Sequence, residues 1–153
     1  MQVTLKIERI IKDIQSKSHL EVASVADPAS RYRIEAGTEK LSEIKRDIAG
    51  ATSTLIEGCY RFLDRGGYDE TDDSVGDKDI VIKLLGGTRR FDGKEKSIAQ
   101  KLHEIIVDLA LEKFYVSVSQ ADLSRLHQLQ AASGITELER LLRRKRPPKY
   151  LDR

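Results

Sequence analysis

The residues most capable of chemistry are an acidic loop, three histidines, one aspartate inside an apolar run, and a basic end. Residues 68–79 (YDETDDSVGDKD) hold six carboxylates in twelve positions. A calcium loop needs oxygen ligands at alternate positions, then Gly, then a distant Glu. Asp69, Thr71 and Asp73 alternate, but Ser74 stands where Gly belongs and Ile80 stands where the Glu belongs. The stretch therefore reads as a solvated loop and not a cation site. His19, His103 and His127 are too scattered for a metal motif, and no metal or cofactor is expected. Gly86-Gly87-Thr88-Arg89-Arg90 lacks the Gly-Lys-Ser/Thr ending of a phosphate-binding loop, and no nucleophile elbow is present. Asp108 interrupts an apolar helix. A catalytic carboxylate there needs an acid–base partner that the sequence does not name, so Asp108 reads as facing water or pairing with an Arg or Lys from a neighbour. No enzyme is expected.

Charge is unevenly distributed. The chain has 153 residues and a net charge of +2, yet residues 140–153 hold seven basic residues and one acid, leaving −4 on the rest. The segment Arg143, Arg144, Lys145, Arg146, followed by Pro147-Pro148, Lys149, Tyr150 and Leu151, reads as an extended C-terminal tail for a partner, protein or nucleic acid. It has no interleaved aromatics and no preceding helix-turn-helix signature. The single Cys59 excludes an intrachain disulfide, and its spacing from Ile48, Leu55 and Phe62 places it in a core. No signal peptide and no run of 18 apolar residues is present, so a soluble cytoplasmic product without membrane contact is expected.

These residues must be positioned by helices. Residues 97–118 are the most apolar long segment. Ile98, Leu102, Ile105 and Leu109 follow a helical period, and Ile106, Val107, Ala110, Leu111 and Phe114 widen the face until the middle is apolar nearly all round. Such a helix must be covered on several sides, by other helices or by neighbouring subunits. Residues 3–16 predict a first helix through Ile7, Ile10, Ile11 and Ile14. Residues 16–30 read as a connector with a turn at Asp27-Pro28. A long second helix is expected from about residue 28 or 30 to 64, with Gly37 offering a point of division and Gly66-Gly67 its end.

Residues 79–85 (DIVIKLL) read as the one strand. With Gly86-Gly87 and Arg89, Arg90 and Phe91 it forms a hairpin or an extended arm. A lone strand is marginal, so Ile80, Ile82, Arg89, Arg90 and Phe91 are candidate inter-subunit contacts. After the central helix, Ser119-Gln120-Ala121-Asp122 and Thr136-Glu137-Leu138-Glu139 each have the form of a capping box. The first marks a bend or starts a new helix carrying Leu123, Leu126 and Leu129 and ending at residues 131–134; the second opens a short helix carrying Leu138, Leu141 and Leu142. The fold class is mainly α: a small helical bundle with a long central helix, one short β-strand or hairpin arm, and an extended tail. Residues 1–146 form one domain with the 79–93 arm inserted, and 147–153 form the tail.

The order of elements completes this reading. A medium helix precedes a longer one with the small-residue patch Ile48-Ala49-Gly50-Ala51-Thr52 and the turn Cys59-Tyr60-Arg61-Phe62-Leu63. A variable loop and β arm follow, then the run IIVDLALEKFY at 105–115 and a basic end. This pattern resembles the head–tail connector (adaptor) proteins of tailed bacteriophages and prophages, and the Arg89-Arg90 arm is similar to that of phage-derived members. The resemblance covers residues 30–145 and implies a non-enzymatic virion subunit of the neck. It implies a homo-oligomeric ring, usually dodecameric, docked beneath the portal protein and presenting a surface to the next tail component. DNA would pass through the lumen without sequence-specific binding. The alternative class is a small cytosolic helical regulator or nucleic-acid-binding module that uses residues 143–146.

Overall fold

A computed structural model describes residues 1–25, 27–64, 78–85 and 93–143. The chain opens with strand β1 (Gln2–Leu5), then α1 (Ile7–Val25), α2 (Pro28–Ile34), a 3-10 turn (Thr38–Lys40) and α3 (Leu41–Cys59). A second 3-10 turn (Tyr60–Phe62), strand β2 (Ile80–Lys83), α4 (Glu95–Ser117) and α5 (Ala121–Arg143) complete it. The class is mainly helical, as the sequence predicts.

The long apolar helix is α4, and its own chain covers it. Seven consecutive residues, Ile105 to Leu111, are buried. α1, α3, α5 and β1 all contact α4, which explains why its apolar residues surround the helix instead of forming one stripe. Each such side chain contributes about 1.5–3 kcal/mol by leaving water.

The N-terminus differs from the expected helix over 3–16. Val3 and Leu5 alternate with exposed Gln2 and Thr4, a period-2 pattern in which strand pairing wins over the helical reading. β1 pairs antiparallel with β2, in the register Gln2↔Lys83, Val3↔Ile82, Thr4↔Val81, Leu5↔Ile80. This corrects the reading of Ile80 and Ile82 as contacts to a neighbouring subunit. Both lie buried in this chain's own core, because β1 supplies the missing strand and α4 the surface beneath. Arg89, Arg90 and Phe91, with the Gly86-Gly87 turn, lie outside the described residues.

α1 then continues to Val25, through what reads as a connector. Its inner positions Ile7, Ile10, Ile14, Ser18 and Val22 are buried, so the helical period persists with a serine in one core place. Asp79, from the end of the acidic stretch, caps α1: its carboxylate accepts from Ile7 N (3.0 Å) and pairs with Lys6 Nζ (3.1 Å). The Ile7 amide bond, then Lys6, hold the Asp79 carboxyl below its usual range. The rest of the acidic loop, 68–77, lies outside the described residues.

The expected long second helix is divided. Asp27 caps α2 by accepting from Ser30 N at 2.8 Å, with Pro28 in the first turn where its missing N–H costs nothing. Gly37 marks the break before α3, as read. α3 ends at Cys59, well before Gly66-Gly67, which are not described. Cys59 is buried, in agreement with its core spacing.

α5 is one helix where two were expected. Residues 131–134 pass through it without a break, and Thr136 Oγ1 donates back to Ala132 O (3.1 Å) in place of capping a new helix. The reason is Gly134: an added Cβ would sit 2.9 Å from Ile105 Cγ1. The glycine lets α4 and α5 approach closely and does not end the helix.

Candidate functional site

Asp108 and His127, far apart in sequence and on different helices, meet in the interior. α5 buries Leu123, His127, Ala131, Gly134, Leu138 and Leu142 on one side. The side facing α4 therefore carries an imidazole in a leucine seam. His127 is 1% exposed. Its Nδ1 donates to Asp108 Oδ1 at 2.9 Å, and its Nε2 lies 2.9 and 2.8 Å from the two carboxylate oxygens of Glu21 on α1. Tyr115 Oη donates to Glu21 Oε2 at 2.9 Å, and its ring stacks on the imidazole with centroids 5.7 Å apart. Lys17 Nζ approaches Asp108 Oδ1 at 3.9 Å.

The electrostatics follow from this geometry. Burial disfavours an imidazolium, but two carboxylates, one on each ring nitrogen, outweigh it and raise His127 to about 9. The ring is thus a cation at neutral pH. Burial, reinforced by the Glu21 charge, raises the Tyr115 hydroxyl above its usual value. α1 is tied to α4 and α5 along one stripe: Asp13 to His103 (2.6 Å), Lys17 to Asp108, and Glu21 to His127. Four-residue spacing puts all three on the same helical side.

A histidine hydrogen-bonded to an aspartate invites comparison with a catalytic triad. In a triad the other ring nitrogen meets a nucleophile's hydroxyl; here it meets the Glu21 carboxylate. An imidazolium bonded at both nitrogens has no lone pair with which to take a proton. The neighbouring serines are engaged: Ser124 Oγ donates to Glu112 O, and Ser18 Oγ accepts from Ala36 N. The arrangement holds three helices together. Among the described residues no group of three or more His, Cys, Asp or Glu is arranged to hold a metal ion. No described helix is long and apolar enough to cross a membrane.

The surface is distinctive at the α4–α5 corner. An open groove of about 790 Å³ runs there over Val116, Ala121, Leu129 and Ala132, with Arg125 and Gln128 also lining it. Val116 is 66% exposed, Leu129 61% and Leu126 43%. Of the leucine trio read as one stripe of a short helix, only Leu123 faces the core.

Among the described residues, the sequence-predicted contact residues Ile80, Ile82 and Arg143 are not brought to one surface. Ile80 and Ile82 are core. Arg143 sits in the last turn of α5 and donates from Nη2 to Glu139 Oε2 at 3.3 Å, a pairing that suits a cation at a helix C-terminus. Arg144, Lys145, Arg146, Lys149, Tyr150 and Leu151 lie outside the described residues. The Asp108–His127–Glu21 cluster was missed. Its signal was present: His127 occupies a core position in the Leu123, Ala131, Leu138 seam, and Asp108 falls in a fully apolar stretch. Comparison with protein-family models, with curated proteins and with solved structures finds no match.

Proposed function

We propose that the chain is a non-enzymatic assembly subunit, a head–tail connector of a tailed phage or prophage acting in the neck of the virion. The observation that carries this reading is the apolar α4–α5 corner, where Val116 and Leu129 stand more than half exposed beside an open groove. A contiguous exposed apolar patch marks an interaction site more often than an isolated surface leucine does. The titratable cluster, in contrast, is sealed and fully engaged, which suits a rigid building block. The element order and the 105–115 run resemble connector proteins and give the assembly its proposed setting: a ring beneath a portal, with DNA passing through. The apolar middle of α4, Ile105 to Leu111, does not support association, because it is covered within the chain.

Native mass spectrometry of the protein alone and mixed with a candidate portal tests the reading. A closed ring, or portal-dependent assembly weakened by Leu129→Arg, is expected. A protein that ignores the portal and binds DNA with steep salt dependence would replace this reading with that of a basic regulator.

A further inference from the structure

α5 has a second stripe on its solvent side. Asp122, Leu126, Leu129, Ser133, Thr136 and Arg140 are all exposed. They are spaced 4-3-4-3-4, the a/d repeat by which one helix presents a seam to another. The seam spans about 27 Å of helix at 1.5 Å per residue. Its inner residues are apolar, small or methyl-bearing, and its two ends carry opposite charges. Neither Asp122 nor Arg140 forms an ion pair among the described residues. Thr136 already donates its hydroxyl to Ala132 O, so it can be covered without losing a hydrogen bond.

We infer that the outer stripe of α5 is a homotypic docking seam, which pairs antiparallel with the same stripe on a second copy of this chain. The stripe is complementary to itself. Reversed about residue 131, Asp122 meets Arg140, Leu126 meets Thr136 and Leu129 meets Ser133. Each is an a position against a d position, the pairing that antiparallel helices use. Each large leucine faces a small hydroxyl residue, which lets the two rows interdigitate. The two-fold contact contains two Asp122–Arg140 ion pairs and four leucines. A parallel arrangement would set Asp122 beside Asp122 and Arg140 beside Arg140, so charge selects the antiparallel one. This inference goes beyond the assembly reading and is independent of it: a two-fold contact closes at two copies and builds no ring, so it names the occupant of the exposed α5 surface in the free protein as the chain itself.

Sedimentation velocity of the full chain over a concentration series, at low and high salt, tests the pairing. A reversible monomer–dimer equilibrium that weakens with salt is expected. Asp122→Arg and Arg140→Asp should each weaken it about tenfold, through loss of two ion pairs and gain of two like-charge contacts. The doubly swapped D122R/R140D protein should regain the wild-type dimer, and Leu129→Arg should abolish it. Circular dichroism confirms that the variants, all at exposed positions, keep their helices. A wild type that stays monomeric up to about 1 mM, a range that reaches even feeble association, overturns the inference. So does a double swap that fails to restore pairing, or a dimer indifferent to Leu129→Arg. Sedimentation alone decides the pairing and portal binding alone decides the connector role, so failure of one is read apart from failure of the other.

Discussion

His127 on α5 reaches Asp108 on α4 through Nδ1 at 2.9 Å, and the ring is 1% exposed at the place where a leucine would continue the seam. Its raised pKa makes folding stability depend on pH in a defined direction. The imidazole holds its proton more tightly folded than unfolded, so its stabilisation is complete below about 6.5 and is lost as pH rises through about 9. The groups facing it are Asp108 and Tyr115 from α4 and Glu21 and Lys17 from α1. Urea unfolding between pH 6 and 10 should show a fall on the order of 3 kcal/mol across that window. His127→Gln should be less stable at neutral pH and lack the slope. Equal slopes for the two proteins would remove His127 from the account.

Tyr115→Phe isolates the hydroxyl. The ring keeps its edge contact with Phe114 (5.9 Å between centroids) and its stack on His127. What is lost is one donor to Glu21, which retains His127 as a partner, and the acceptor for the Ser18 hydroxyl, which keeps its bond from Ala36 N. A cost of about 1 kcal/mol is expected by thermal or chemical unfolding, with the pH slope retained because both carboxylates still face the imidazole. A cost several times larger would mean that the hydroxyl also positions Glu21.

Much of the fold was legible because burial on α4 is so complete. No polar residue except Asp108 breaks residues 105–111, and a helix of that kind demands cover on all sides. The helical period of α1 was legible from Ile7 onward. The strand before it was not, since Val3 and Leu5 fit either a helix or a strand until Ile80 and Ile82 appear as partners far along the chain. Division of α5 into two helices was an error of local chemistry. Thr136-Glu137-Leu138-Glu139 has capping residues, but a cap forms only where the preceding backbone leaves the helix. Gly134 keeps it there by admitting Ile105. The ionic cluster escaped notice for a related reason: Glu21, Asp108 and His127 come from three helices, and only tertiary packing brings them together.

Two helical glycines should respond to alanine in opposite ways. At Gly134 the new methyl would lie 2.9 Å from Ile105 Cγ1, a methylene of a β-branched side chain held in the core. Overpacking of this kind costs about 1–3 kcal/mol and exceeds the gain in helix propensity of about 1 kcal/mol. At Gly50 the nearest atom is Lys113 Cε at 3.2 Å, near the end of a flexible arm. Gly50→Ala should therefore be neutral or stabilise by up to about 1 kcal/mol. Parallel thermal melts check both; the same sign for both would contradict the packing described.

Ser119 closes α4 in a left-handed conformation, with φ 60°. Ser119 N donates to Val116 O and Gln120 N to Tyr115 O, the paired bonds of a Schellman motif. That position favours glycine, because a Cβ crowds the carbonyl in left-handed backbone at a cost of about 1–2 kcal/mol. Part of the cost is offset in Ser119→Gly by the greater freedom of glycine in the unfolded chain. A net gain of about 0.5–1 kcal/mol is expected, seen as a raised melting temperature with helicity unchanged. The bend at Ser119 directs α5 back along α4 and so sets the His127–Asp108 contact. The substitution should accordingly leave the pH slope of stability intact. A stabilised protein with an altered slope would show that the serine side chain, and not only its backbone conformation, shapes the α4–α5 corner.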